Sequence, residues 1–555
     1  MLASGRTTRS GAAPRGRPDA IAGRAASTDV ATRHSARTMP RTPLANFVAR
    51  LVHDMNRTSA AADGAAPSPS RRRFLAGSAA AAVAANLPAP LARVRARKGA
   101  QRVAVVGAGL AGLTCAYRLQ QRGIAAEVYE ASTRFGGRCW TRRGAFADGQ
   151  IGEHGGELID QSHVAIRSLA QEFNLPLVNV LAAEANGTET KMRFLGSDYS
   201  INDAENDLKA IWKQLRRDVQ QASYPTTYYQ STARGRQLDN TSIAQWIQQT
   251  VPGGLGSRFG QLLATAYNIE YGAEVDQQSS LNLLYLLGYS GPGRIRIFGP
   301  SNEKYKVVGG NDQIAAALAA QVAPQLVPQH TLLSVAKLPS GRIRLVFATP
   351  GPNVTEDFDH VVFALPFAVM RSSVNLAQAG WSPRKMTAIQ QLGRGSNSKL
   401  AVQFATRHWR TQGGNGESYS DLGYQCSWEV TRGQTGTPGI LVNYSGGLYA
   451  ESFAGASATA RAQQFCQQVE PVFSGSTANW NGLATLDTWH DKPLQRCSYS
   501  YWRVGQCQLF AGVEGEPEDN AWFCGEHTSL DAQGYLEGAV ETGERAADEV
   551  ATAIG

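Results

Sequence analysis

The chain has 555 residues, enough for two to four domains and a large core. Its 43 % hydrophobic and 18 % charged residues exclude a mostly disordered protein, and no run of about 20 apolar residues in the body supports a stable membrane span. The net charge of +9 belongs to the leader: residues 1–100 carry 17 Lys+Arg against 4 acids, the remainder 37 against 41, so the body offers no electrostatic case for nucleic acid.

Residues 1–69 are rich in Ala, Arg, Ser, Thr, Gly and Pro and are expected to be disordered or untranslated. Ser70-Arg71-Arg72-Arg73-Phe74-Leu75 opens an Ala-rich stretch, followed by Leu87-Pro88-Ala89-Pro90-Leu91-Ala92. Paired arginines, a mildly apolar run and small residues near a cleavage point have the pattern of a twin-arginine export signal over residues 70–100. It predicts the twin-arginine translocation machinery as a partner and the periplasm or the extracellular space as destination. Met55 gives a leader of ordinary length and is the expected start.

Val103-Ala104-Val105-Val106 reads as a buried parallel strand, Leu113 to Gln121 as a helix, and Ala126 to Glu130 as a second strand. Between them, Gly107-Ala108-Gly109-Leu110-Ala111-Gly112 fits a dinucleotide site. Gly107 permits the tight turn, Gly109 a close approach to a pyrophosphate, and Gly112 close packing of helix on strand. The backbone at Leu110 and Ala111 opens the helix toward the phosphates. Glu130, with Ala131 after it, has the spacing of a ribose-binding acid. Further on, Gly136-Gly137-Arg138 and Gly155-Gly156-Glu157 supply more glycine turns. Seven scattered Cys form neither a disulfide framework nor a paired zinc motif, and no metal is predicted.

The C-terminus offers the other half of a long cofactor's site. Trp522-Phe523-Cys524-Gly525-Glu526 is a short strand running into a polar loop, and Gly534-Tyr535-Leu536-Glu537-Gly538 reads as a helix start. From Arg102 onward the chain resembles the flavin-containing amine oxidase family of monoamine, polyamine and L-amino-acid oxidases. The resemblance rests on the segments above, on Tyr305-Lys306-Val307-Val308-Gly309-Gly310, Val361-Val362-Phe363-Ala364-Leu365-Pro366 and Ser398-Lys399-Leu400, and on Trp489-His490-Asp491 with Tyr499-Ser500-Tyr501.

That resemblance implies FAD as cofactor and an α/β fold. A Rossmann-like FAD-binding domain (101–160, 300–380 and 505–555) is expected beside a discontinuous α+β substrate-binding domain (161–299 and 381–504), as in the p-hydroxybenzoate hydroxylase-like two-domain architecture. It also implies hydride transfer from the carbon beside nitrogen to flavin N5, imine hydrolysis to a carbonyl, and reduction of O2 to H2O2. Lys399 matches the lysine that holds a water near N5, Tyr535 and Tyr499 match the walls of an aromatic cage, and Trp489 matches a ring near the flavin. Val335, on the first of two strands read within 331–346, is assigned to the cofactor site in the same way. Some monoamine oxidases attach FAD to a Cys directly before the cage tyrosine; here Ser498 occupies that position and Cys497 lies one place back, so the flavin is expected to be non-covalent. His154 and His527 are expected to be hydrogen-bond donors behind the cofactor loops.

Residues 203–220 and 269–286 read as mainly helical. The substrate is an amine, with an L-amino acid as the alternative. An amino-acid oxidase needs a cation for the carboxylate, and Arg294, Arg296 and Arg503 are the candidates by region. Glu157 is a candidate for the distal ammonium of a diamine. A homodimer is compatible with the resemblance. A nicotinamide dehydrogenase would leave Gly525-Glu526 and Gly534-Tyr535 unused, and a non-catalytic flavin protein would need neither Lys399 nor the cage.

Overall fold

The computed structural model describes residues 101–555; the twin-arginine string and Met55 lie outside the described residues. A five-stranded parallel sheet gathers Val103–Val106, Ala126–Tyr129, Leu326–Val327, His360–Phe363 and Ala521–Phe523. The Val103 strand is central, between the Ala126 and His360 strands. Its residues are all buried, because both faces of the sheet are covered. Val103 and Val105 enter one core, with the helix Leu110–Gln121; Ala104 and Val106 enter another, with Leu345, Phe347 and Phe367.

The C-terminal helix Leu536–Ile554 packs on Leu110–Gln121. Small residues let the two approach: a Cβ on Gly543 would lie 2.5 Å from the Ala111 carbonyl oxygen. Beside this layer, strands Thr331–Lys337 and Ile343–Ala348 form the expected strand, turn and strand, within a four-stranded sheet.

The second large sheet has seven strands, in the order Trp480–Thr488, Asn397–Phe404, Gly439–Gly446, Cys426–Glu429, Gly414–Ser420, Glu189–Phe194 and Ser197–Asp198. Helices gather against it around a separate core that includes Trp246, Phe259, Tyr267 and Leu284. The expected helix over 203–220 runs from Ile201 to Ala222, started by a capping box between Ser200 and Asp203. The expected helix over 269–286 is instead two. Arg258–Tyr271 stops where Gly272 turns to φ +64°, and Ser280–Leu287 begins eight residues later under a Ser279 cap. The apolar pattern carries across the break because both pieces bury residues in one core. Among the described residues, no helix is long and apolar enough to cross a membrane.

Candidate active site

A cavity of about 950 Å³ lies against the carboxyl ends of the parallel strands and extends to the seven-stranded sheet. One end is nearly all backbone. Gly107, at φ +104°, has no room for a side chain: a Cβ would sit 2.9 Å from the Ala364 oxygen. Gly112 packs against that turn, with a Cβ position 1.9 Å from the Gly107 oxygen. Gly109 meets only the Gly137 Cα, at 3.9 Å, so two glycine turns face each other across an isolated bridge between Gly109 and Gly136. The helix from Leu110 begins without a side-chain cap, leaving its first N–H groups to the cavity lined by Leu110 and Ala111. Glu130 accepts from the Ala108 N–H (2.9 Å) and the Ser132 N–H (2.9 Å), which fixes its carboxylate at the cavity edge beside Ala131.

The C-terminal helix brings a second uncapped start to the cavity, at Tyr535 and Leu536. Gly156 lies against it, its Cβ position 2.6 Å from a Leu536 methyl carbon. Gly525 and Glu526 line the space between. Glu526 accepts from Arg138 (3.1 Å), the Ser500 hydroxyl (2.8 Å) and the Gly534 N–H (3.1 Å). Burial would raise its pKa, but Arg138 beside it and the Ser500 bonds hold it below the usual carboxylate range. Both polar atoms of the Gln533 carboxamide are buried without a partner against this same cavity. Two uncapped helix starts, facing glycine turns and an orphaned carboxamide fit a long anionic cofactor with a polar ring edge.

The other end is made of side chains. Tyr499 donates to the Ile269 carbonyl (2.9 Å) and lies 3.0 Å from the Tyr444 hydroxyl. Tyr535 donates to Glu270 Oε1 (3.2 Å) and meets His163 edge-on at 5.1 Å between centroids. Trp489 donates to the His154 carbonyl (2.8 Å), its ring 3.3 Å from the Cβ position of Gly155. Lys399 Nζ reaches Glu157 Oε2 (2.7 Å) and the Gly155 oxygen (3.1 Å), so two of its three N–H groups are taken. Lys306 Nζ reaches Glu157 Oε1 (3.1 Å). Burial would raise the pKa of Glu157, yet Lys399 and Lys306 together bring it down to about 2.

Several expectations need correction. Glu157 is already paired with two lysines, one on each carboxylate oxygen, so its charge is balanced without a diamine's ammonium. Val335 does not line the cavity; it points into the core with Leu345 and Phe347, whereas Thr331 and Leu332 on the same strand do reach the lining. Gly112 shapes the turn from behind and does not face the cavity. Of the three arginines, only Arg296 lines it. His154 is paired with Asp487 (2.7 Å) and stacked on Trp140, while His527, buried among Phe367 and its neighbours, has no hydrogen-bond partner at either nitrogen. Burial holds His527 down at about 4, so it is neutral.

The sequence reading missed the carboxyls of the wall. Glu270, Glu303 and Glu417 all line the cavity. Glu303 opens into it, yet protein surrounds it closely enough that burial, then Glu417 and Glu270, push its carboxyl up to about 8. One signal was available for Glu270: it follows an otherwise apolar helical face. Among the described residues, no group of three or more His, Cys, Asp or Glu is placed to hold a metal ion.

The family model for flavin containing amine oxidoreductases matches residues 110–551. The chain belongs to this family. Flavin-dependent oxidation of an amine donor is therefore its activity. The chain is 24 % identical to a Bacillus subtilis (strain 168) protein named "Putative L-amino-acid oxidase YobN", over 81 % of this chain and 94 % of that one. Its fold matches wild-type putrescine oxidase bound to putrescine at a TM-score of 0.68 and 18 % identity, covering 81 % of this chain and 98 % of the other. It also matches cyclohexylamine oxidase from Brevibacterium oxydans IH-35A at 0.68 and 18 %, covering 82 % and 99 %. These likenesses place the two-domain FAD-binding architecture.

Proposed function

We propose that the chain is an exported oxidase of a cationic amine, with the overall reaction R–CH2–NH2 + O2 + H2O → R–CHO + NH3 + H2O2. The carboxyl-rich wall of Glu270, Glu303 and Glu417 carries this reading. Burial and mutual repulsion keep Glu270 and Glu303 partly protonated, and an ammonium placed among them would favour their ionised forms, whereas a carboxylate would not. When bound, the flavin supplies the acceptor for the hydride leaving the carbon beside nitrogen. The protein's part is placement. The glycine turns and Glu130 would hold the dinucleotide end, and the start of the C-terminal helix with Gln533 would offer polar groups to the flavin ring. Tyr499 and Tyr535, fixed by the Ile269 carbonyl and Glu270, enclose the amine. Lys399, fixed by Glu157, keeps one N–H for a water in the cavity.

A second reading is an L-amino-acid oxidase. Arg296 lines the cavity and is exposed, which offers a cation for a carboxylate. We further propose non-covalent FAD, because Ser498 lines the cavity and Cys497 does not. Export follows from Ser70 to Leu75.

Anaerobic mixing of the flavin-loaded protein with a panel of amines and L-amino acids tests the substrate. Bleaching of the flavin by amines is the expected result; bleaching by L-amino acids alone moves the assignment to the second reading. Acid precipitation should leave the yellow colour in the supernatant. Replacing Arg71, Arg72 and Arg73 by Lys should hold the precursor in the cytoplasm.

A further inference from the structure

We propose, on the reading that this cavity oxidises amines, that Glu270 takes the proton from the substrate's ammonium within the tyrosine pair. The helix Arg258–Tyr271 ends at Gly272, and its last turn holds both rings. Ile269 accepts from the Tyr499 hydroxyl at 2.9 Å, and the next residue, Glu270, accepts from the Tyr535 hydroxyl at 3.2 Å. Two consecutive residues thus fix the two walls, and one of them brings a carboxyl. Among the described residues nothing hydrogen-bonds the second oxygen of that carboxyl, and the residue lines the cavity.

The step is a proton transfer with no change of oxidation state. An N–H bond of R–CH2–NH3+ breaks, its electron pair stays on nitrogen, and an O–H bond forms on Glu270. An ion pair becomes two neutral groups, which a low-dielectric pocket favours. The freed lone pair is what loss of a hydride from the neighbouring carbon requires.

The surroundings of Glu270 suit this task. The carboxyls facing it are Asp160 and Glu303, and the tyrosines around it are Tyr267, Tyr271, Tyr444, Tyr499 and its hydrogen-bond donor Tyr535. Of the cavity's cations, Lys306 and Lys399 are paired with Glu157, while Arg296 lines the same cavity and is exposed. Burial first, then Asp160, pushes Glu270 up to about 7 against the lowering effect of the Tyr535 bond. A base near the working pH is both ionised and able to accept. Glu157, at about 2, is not.

The test uses the holoenzyme and putrescine or benzylamine, whichever reduces the wild type. Wild-type kcat/KM should rise about tenfold per pH unit below about 7, then stay level up to the amine's own pKa. In E270Q, which keeps an oxygen for Tyr535, the level stretch should become a tenfold-per-unit climb, because the amine must shed its proton to solvent. An E270Q profile that keeps the wild-type limb overturns the proposal. Y535F provides an independent check: loss of the lowering hydrogen bond should move that limb to higher pH, and an unmoved limb counts against Glu270. A readout without turnover comes from tert-butylamine, which has no hydrogen on the carbon beside nitrogen. Titrated calorimetrically in two buffers of different ionisation enthalpy near pH 8, it should exchange no net proton with wild type and release close to one with E270Q; release of one by wild type overturns the proposal. Failure of every amine to reduce the wild-type flavin would overturn the amine reading itself. Reduction by amines with a limb that E270Q leaves in place would overturn the role of Glu270 alone.

Discussion

The two ends of the cavity are built by opposite means. The cofactor end removes side chains: Gly107, Gly109, Gly136, Gly137 and Gly156 let backbone reach inward, and helix starts supply much of the polarity, with Glu130, Gln533 and the Arg138–Glu526 pair at its edges. The substrate end adds side chains, and its polarity comes from paired charges and hydroxyls: Lys399 with Glu157, Tyr535 with Glu270, Tyr499 with Tyr444. The first kind of site leaves no room for an added carbon at Gly107 and Gly112. The second tolerates changes of atom but not of charge balance.

The largest effect should come from adding one carbon to the first kind. In G112A the new Cβ would lie 1.9 Å from the Gly107 backbone oxygen, and neither helix nor turn has a flexible group to yield. The protein should be purified with less than about a tenth of its normal flavin, read as visible absorbance per unit protein. Normal flavin content in G112A would break the contrast between the two ends.

K399M tests the other end. Flavin should stay bound, because the cradle is untouched, while reduction by amine or reoxidation by O2 slows by at least about tenfold. K399R sharpens the result by keeping the ion pair with Glu157 and changing only the shape of the cation. Recovery of rate in K399R would assign Lys399 to charge balance; continued loss would assign it to its one free N–H.

The cradle was legible because its parts are contiguous: strand, glycines, helix and acid follow one another between Val103 and Glu130. The wall was not, because its pairs join distant segments. Glu157 meets Lys306 across 149 positions and Lys399 across 242. Read locally, Glu157 is one more residue of a glycine loop, and no periodicity announces its two lysines. Val335 was misplaced for a related reason. The strand meets the cavity only at its start, at Thr331 and Leu332, and after a register shift between Leu332 and Ser334 it carries Val335 into the core, which spacing alone does not announce. The broken helix at Gly272 shows the limit of apolar spacing, which continued through the turn that delivers Ile269 and Glu270 to the tyrosines.

Charge balance at the wall also predicts a pH response. The pKa of Glu157 is depressed in the folded chain by Lys399 and Lys306 against the opposing effect of burial. Its contribution to stability is therefore complete above the unfolded carboxylate pKa and is lost as pH falls from there toward about 2. In K306M one of the two lysines is gone and the folded pKa rises toward the unfolded value, so Glu157 contributes less at neutral pH and less is lost on acidification, over a narrower pH range with the same onset. Thermal unfolding midpoints followed from pH 7 down to about 3 would show the variant less stable at pH 7 and declining less steeply, so that its gap to wild type narrows as pH falls. Parallel curves would mean that the second lysine does not couple to folding.

The smallest effect should come from Y499F, which removes one oxygen and leaves the ring. Tyr499 donates to the Ile269 carbonyl, and its hydroxyl lies 3.0 Å from that of Tyr444, so the change leaves that carbonyl without this donor but keeps the apolar wall. A neutral hydrogen bond contributes about 1 kcal/mol, so a loss of about threefold to tenfold in kcat/KM is expected, with flavin content and the pH limb unchanged. The direction of the split matters more than its size. If the hydroxyl only fixes the ring, KM and kcat should shift together and modestly, as a loosened wall positions the amine less well. A shift of the pH limb in Y499F would instead tie this tyrosine to the proton held at Glu270, and the two walls would then act as one unit joined through the last turn of the helix Arg258–Tyr271.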